Sequence, residues 1–450
     1  MANVKPYMTS DDLIASIKRR ISFPLSQNTF QYSDMLSFLN EEMQISAVPS
    51  VKQEHEEYFV YRQSVDLVYG VSRYEIPNRS IGMTLRDVKF ADSSGNFYDM
   101  TRIAPEDKAF FQQSNGSNQT ISKYYIEGNE IVLTPSVQTG VSGKLIFWIF
   151  LRPNSLVRND RAAIIQHYEK DIVISNNSNF EVGDEFIIST GNNSSTPNEY
   201  IFTAVNSLVN PNDFLIGVDA ATTTINLNSA ISVAAISGVT PNIVTAGTIN
   251  ITYMDITNTF IDVKVDNNIN PSAFTIDNVN VSISFDQLSS TYTEPETMQV
   301  SSLYTVGSNI DFLQTNPGHR IYTYDVPIVS INGTVAKFAT SNLQTYATNS
   351  NGGTLTYFNI KIGDYICLAN ESIIPQLPPE VHSALAERAA SRVLMAIGDM
   401  QGYQVSQAKL AEMNKNQETL IGSRIEGSVT KVFNRYSLLR LGKSRFRRRY

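Results

Sequence analysis

The chain has 450 residues, 42% of them hydrophobic and 17% charged, with a formal net charge of −8. That length holds two or three domains, and that balance belongs to a folded chain, which excludes a disordered or low-complexity protein. Residues 431–450 carry +8 and leave −16 on residues 1–430, so the body lacks the basic footprint of a general duplex-DNA binder.

The opening residues show no apolar core of a signal peptide, and no apolar run approaches the ~20 residues that cross a bilayer. A soluble protein made in a cytoplasm is expected. Three helices should come first. Thr9 or Ser10 can cap one with the stripe Leu13, Ile14, Ile17 and Ile21, and Ser33 can cap a second, with Leu36, Leu39, Met43 and Ala47 inward, that Pro49 ends. A third begins near Ser50, carries Val51, His55, Tyr58, Phe59, Arg62 and Val65, and stops by Gly70.

From Tyr74 the period falls to two. Thr84 to Phe90 alternates, Tyr124–Ile126 and Glu130–Leu133 flank Gly128 and Asn129 as a hairpin, and Lys144–Leu151 is an apolar strand closed by Pro153. Residues 158–374 are rich in Asn, Ser, Thr, Val and Ile. Short strands recur there at Asp171–Ile174, Val182–Ile188, Tyr200–Val205, Thr248–Met254, Phe260–Val265, Val279–Phe285, Ile328–Ile331 and Thr334–Phe338. With polar turns and almost no helical pattern, they predict one or two small barrels or sandwiches. One internal match joins residues 179–188 to 359–368: Gly183-Asp184 and Gly363-Asp364 each make a tight turn into an apolar strand. It is either a duplication or two uses of one turn.

A long helix is expected from Pro378 to about Glu418. Its stripe is Val381, Leu385, Ala389, Val393, Ala396 or Ile397, and Met400, with Gly398 and Gly402 as the places where it can bend. The expected fold class is α+β: a helical bundle from both ends of the chain with a small sheet, interrupted by a large β-rich barrel or sandwich insertion, then a long C-terminal helix and an extended basic tail. The corresponding domains are 1–157, 158–374, 375–430 and 431–450.

No catalytic, metal-binding or cofactor-binding constellation is expected. His55, His167, His319 and His382 are scattered outside any metal-ligand spacing, and phosphate-loop, dinucleotide and nucleophile-elbow motifs are absent. Cys367, the single cysteine, lies in an apolar run and reads as a small buried hydrophobe. Asp184 and Asp364 read as turn residues bonding their own backbone.

The tail interleaves cations with large apolar side chains. Phe433, Tyr436, Leu438, Leu439, Phe446 and Tyr450 alternate with Arg435, Arg440, Arg445, Arg447, Arg448 and Arg449. Three readings fit: a frayed basic terminus, a nucleic-acid arm, or a segment that docks on an acidic, partly apolar protein surface, with the apolar residues as anchors and the arginines as rim pairs.

Several short stretches together resemble a known group. They are Asp11 to Ile14, Phe38 to Glu42, Val48-Pro49, Glu56 to Phe59, Tyr74 to Gly82, Tyr124 to Gly128, Leu151 to Pro153, Ile362 to Asp364, Leu377 to His382 and the closing Phe433 to Tyr450. This pattern resembles the head-to-tail connector (adaptor or ring) proteins of short-tailed bacteriophages, crAss-like phages in particular, over about half the chain. The resemblance implies a virion protein of the neck and tail that forms a homo-oligomeric ring, usually of twelve copies, under the portal. The C-terminal segment would then hold the portal or a neighbouring subunit, and genomic DNA would pass through an acidic conduit without specific binding, with no membrane involved. The insertion would contact a neighbouring tail ring or fibre protein. A lower tail ring or fibre-docking protein shares the fold class, and a tail-associated glycan-degrading enzyme is a further alternative from another class.

Overall fold

The computed structural model describes residues 7–21, 30–93, 96–108, 123–137, 141–174, 180–191, 198–253, 260–265, 274–276, 280–286, 288, 291–293, 300–315, 321–348, 354–358 and 360–421. Helix α1 (Ser10–Arg20) starts on a reciprocal cap. Asp12 N–H donates to Thr9 Oγ1 at 3.4 Å and Thr9 N–H to Asp12 Oδ2 at 3.1 Å, so two amides that the helix leaves unpartnered are satisfied. Helix α2 (Tyr32–Glu42) runs through one π turn, Met43–Ala47, into α3 (Val48–Glu54). Pro49 therefore does not end a helix. It sits in the first turn of α3, where a missing N–H is best tolerated.

The expected third helix is also shorter than its pattern suggested. His55, at φ −140° and ψ 74°, stops it, and a 3₁₀ turn (Glu56–Phe59) leads into strand β1 (Val60–Asp66). Arg62, Ser64 and Asp66 face solvent while Tyr61, Gln63 and Val65 are half covered, a period of two. Strands β2 (Arg73–Glu75), β3 (Ser80–Asp92), β4 (Phe97–Asp99), β5 (Thr101–Arg102), β6 (Lys123–Glu127), β7 (Glu130–Thr134) and β8 (Gly143–Leu151) follow. They form two four-stranded sheets, ordered β1-β8-β3-β4 and β2-β7-β6-β5. The β6–β7 hairpin turns at Gly128, whose φ of +62° suits a residue without Cβ. Val88, Leu145, Phe147, Ile149 and Ile131 fill the space between the sheets.

β9 (Ser155–Leu156) leads to β10 (Ala163–Ile174), the spine of the β-rich region. Beyond it lie β11 (Glu185–Gly191), β12 (Asn198–Val205), β13 (Asp213–Leu215), helix α4 (Ala220–Val233), β14 (Val239–Thr245), β15 (Thr248–Tyr253), β16 (Phe260–Val265), β17 (Phe274–Ile276) and β18 (Asn280–Phe285). The chain continues through β19 (Thr291–Thr293), β20 (Val300–Ser302), β21 (Asn309–Leu313), β22 (Ile321–Asn332), β23 (Val335–Ala339), β24 (Gln344–Thr348), β25 (Thr354–Phe358), β26 (Tyr365–Leu368) and β27 (Glu371–Ser372). Six of these strands close a barrel in the order β10-β18-β23-β22-β21-β26, with β26 pairing back to β10 and every pair antiparallel. Its interior holds Ile165, Ile283, Phe285, Ile310, Phe312, Ile328, Phe338 and Ile366, all buried; Phe312 meets Phe338 edge-on at 5.5 Å between centroids. Gly333, at φ +59°, makes the β22–β23 turn that Asn332-Gly333 announces.

The far end of β10 leaves the barrel, pairs with β15, and delivers Ile172 and Ile174 to a second core. That distal unit consists of the sheet β13-β12-β11-β16 and α4. The helix contradicts the expectation of an almost helix-free middle. Asp219 caps it by accepting from Thr222 N–H at 2.7 Å, and its buried face mixes Thr223 and Thr224 with Leu227, Ala230 and Ile231. Thr224 Oγ1 donates to Ala220 O at 2.6 Å, so hydroxyls with local partners stand where an apolar stripe would be sought.

The internal match is structural. Asp184 N–H donates to Glu181 O at 3.2 Å and Asp364 N–H to Lys361 O at 3.1 Å; each carboxylate accepts in return, from Glu181 N–H at 2.8 Å and Lys361 N–H at 2.9 Å. Each turn then exchanges two backbone bonds with a neighbouring strand, through Ala204 of β12 in the distal unit and Ile165 of β10 in the barrel. Gly183 and Gly363 take φ of +102° and +88°. One turn therefore starts corresponding strands in two β units.

Helices α5 (Pro379–Ile397) and α6 (Met400–Ile421) close the described chain. The expected single long helix is two, because Gly398 ends α5 in the left-handed region at φ +84°. The pairs Glu387–Ser406, Arg388–Asn414 and Glu380–Gln417 show that α6 folds back antiparallel to α5. The α5 stripe is buried from Val381 to Val393 against α1, α2 and α3, whereas Ile397 and Met400 are exposed, as expected of residues at a hairpin tip.

Candidate interaction surfaces

The docking residues read from the sequence, Phe433, Arg435, Tyr436, Leu438, Leu439, Arg440, Arg445, Phe446, Arg447, Arg448, Arg449 and Tyr450, lie outside the described residues. Their root is described. Ile421 packs into the helical core with Leu13, Leu39 and Val51, and Gln417 Nε2 donates to Glu380 O at 3.3 Å. The described chain therefore ends at a residue held on the bundle.

Between the last two helices the contact is polar. Glu387 is buried and accepts from Lys409 Nζ and Ser406 Oγ at 2.8 Å each, and from Arg20 of α1. Burial alone would raise its carboxyl pKa. The bonds from Lys409 and Ser406 and the charges of Arg20 and Lys409 outweigh it and hold the group below its ordinary range. Arg392 Nε reaches Glu42 of α2 at 2.6 Å. Half-buried Arg388 donates to Asn414 Oδ1 at 2.8 Å, and burial lowers its pKa. Clefts of about 470 and 490 Å³ flank the seam. Arg388, Arg392, Tyr403 and Asn414 line the first; Arg20, Leu394, Val405 and Lys409 line the second. α6 is thus held by hydrogen bonds rather than by a continuous apolar seam, and Val405 and Leu420 face outward.

A second polar cluster joins three units, and sequence reasoning missed it. Arg79, at the start of β3, pairs with Asp311 of the barrel strand β21 and donates to Asn154 Oδ1 at 3.1 Å and to Asn370 Oδ1. Asp311 also accepts from Asn154 Nδ2 at 2.5 Å, Asn370 N–H at 3.1 Å and Asp325 N–H at 3.0 Å. Asn154 N–H donates to Gln376 Oε1 at 2.6 Å, on the segment entering α5. Small sheet, barrel and helical bundle therefore share one buried network. Its signal in the sequence was a lone acid between Ile310 and Phe312 in an apolar strand. Beside it, Tyr58, Phe59, Tyr61, Leu151, Ile321 and Gln376 line a cavity of about 40 Å³.

The candidate chemical groups are otherwise engaged. Cys367 is fully buried in β26, and burial pushes its thiol well above the ordinary range. His382 accepts from Met8 N–H at 3.2 Å through Nδ1, while its Nε2 lies 3.1 Å from Leu377 O. His167 Nε2 lies 2.9 Å from Glu169 Oε1, and His319 is outside the described residues. Asp184 accepts from its own turn, and Asp364 does so through Oδ2 while its Oδ1 accepts from Thr315 N–H and Oγ1 at 3.0 and 2.9 Å. Among the described residues, no group of three or more His, Cys, Asp or Glu is placed to hold a metal ion, and no helix is long and apolar enough to cross a membrane. No protein-family model and no curated protein sequence matches this chain.

Proposed function

We propose that this chain is a structural subunit of a ring at the neck of a short-tailed, crAss-like bacteriophage virion, joining the portal to the tail and forming part of the conduit for DNA. The observation that carries the reading is the division of charge: −16 on residues 1–430 against +8, with interleaved aromatic and aliphatic side chains, on residues 431–450. An acidic wall repels phosphates and lets DNA slide. A basic, apolar-studded segment suits an acidic protein surface. The fold adds that Ile421, the last described residue before this segment, is anchored in the helical core. In this reading the helices of both chain ends form the ring body, the basic tail docks on the portal or a neighbouring subunit, and the barrel and distal unit face another tail ring or a fibre. The protein acts in the virion and catalyses nothing.

The test is the mass of the purified chain in solution, alone and mixed with portal particles. A ring on portal particles that is lost on deletion of residues 431–450 supports the reading. A chain that ignores portal particles overturns it in favour of a lower tail ring or fibre-docking role.

A further inference from the structure

The distal unit has an unusual surface. Residues 171–263 contain nine acids and no Lys, Arg or His. At one end of the unit, four aliphatic residues stand in solvent: Val182, Leu208, Val209 and Val218 are 60%, 59%, 82% and 96% exposed. Backbone bonds bring them together there. Gly183 N–H donates to Ala204 O at 2.8 Å, where β12 ends, and Ile216 N–H donates to Val205 O at 3.1 Å. The loops that carry them are braced. Asp213 accepts from the amides of Val209 and Asn210 at 3.0 and 2.6 Å, and Gly217 N–H donates to Thr223 Oγ1 at 2.8 Å. Side chains this apolar, on loops this well tied, form a pre-organised patch, with Glu181 and Glu185 beside it.

Charge selects the occupant. An anionic bilayer or a nucleic acid needs a cluster of cations, and the sheet and helix of the unit carry a single one, Lys264 of β16, against the nine acids. Two copies of the tip would set acids against acids. A segment combining cations with leucines and aromatics fits, and residues 431–450 of this chain hold Leu438, Leu439 and Leu441 among eight cations and no acid. We infer that the aliphatic tip of the distal unit is the receptor for residues 431–450 of a second copy of this chain. The inference rests on the ring reading, because a closed ring of identical subunits needs two different complementary surfaces on each subunit. Leu438 and Leu439 meet Leu208, Val209 and Val218, and the arginines meet Glu181 and Glu185.

The experiment uses the full chain with a photo-crosslinking amino acid at position 438, prepared as an equal mixture of ¹⁴N and ¹⁵N copies. Expected are crosslinks of mixed isotope between the tail and residues 181–218, reduced at least tenfold in the triple variant Leu208→Ser, Val209→Ser, Val218→Ser. Those positions are exposed, so an unchanged melting temperature shows the variant folded. Crosslinks to any other part of the chain, crosslinks of one isotope only, or a triple variant that crosslinks as well as the parent would overturn the inference. Repeating the experiment on portal particles separates it from the ring reading. Tails that crosslink to portal in place of the tip overturn this inference and leave the ring standing, whereas a chain that fails to attach to portal overturns the ring.

Discussion

Arg79 and Asp311, 232 residues apart, form a buried ion pair that fixes the barrel against the small sheet. Asp311 is fully buried and satisfied by four partners, whereas Asp325, 3.4 Å from the same guanidinium, is half exposed. The two acids should answer mutation differently. Asp311→Ala strands a buried guanidinium, which costs about 3–5 kcal/mol, so the melting temperature should fall by on the order of 10 °C. Asp325→Asn should stay within about 0.5 kcal/mol of the parent. Burial foremost, with the Asp311 charge behind it, raises the Asp325 pKa despite Arg79, and its φ of +55° is one that asparagine accepts. Calorimetry on both variants is the check, and a harmless Asp311→Ala would remove the network from any account of how the units are joined.

The α5–α6 hairpin should loosen in acid. Glu387 has a folded pKa below its unfolded one, so its contribution is fully present above the ordinary carboxylate pKa and is lost as pH falls through the lower folded value. Hydrogen exchange should therefore show α6 losing protection on acidification before the barrel strands do. Glu387→Gln should bring α6 toward that exchange pattern at neutral pH, because the neutral amide gives up both charge-assisted partners, Arg20 and Lys409. Unchanged α6 protection in the variant would show that apolar contacts hold the hairpin.

Cys367 gives a probe of the barrel without engineering. Its side chain is inaccessible, and burial disfavours the thiolate that reacts. A thiol reagent should leave the native chain unmodified over hours and titrate one group per chain in denaturant. Rapid labelling of the native chain would mean that β26 separates from β10, which it meets at Ala163 and Ile164.

Much of this fold was legible because burial follows period. The stripe Val381, Leu385, Ala389, Val393 and the hairpin at Asn332-Gly333 both stand as read. Where the reading failed, a local choice was settled by partners far away in sequence. Tyr58, Phe59 and Val65 fit a helical spacing, but β8 offered a seven-residue ladder to Val60–Asp66 and took it. α4 hid because Thr223 and Thr224 supply buried methyl groups while their hydroxyls bond locally. The Arg79 network was illegible for the same reason, since its members come from five separate stretches of chain and no spacing rule joins them. The docking tail could be read only as chemistry.

Gly398 is the residue on which one long helix becomes two. Its φ of +84° would cost an L-residue roughly 1–2 kcal/mol, while nothing lies within 4 Å of a Cβ built there. The penalty of Gly398→Ala is therefore one of backbone conformation rather than of packing. The variant should also favour continuing α5 straight into α6, which the apolar spacing through Ile397 and Met400 already permits. Straightening would withdraw Ser406 and Lys409 from Glu387 and carry Ile421 out of the core, moving the root of the tail. The expected outcome is a loss of about 1–2 kcal/mol in α6 protection by hydrogen exchange, with the barrel strands unaffected. Spin labels on exposed Val405 and Ile45, read before and after the substitution, would report whether the hairpin opens or only strains. A distance distribution and an exchange pattern both identical to the parent would mean that tertiary contacts over-determine the turn at Gly398.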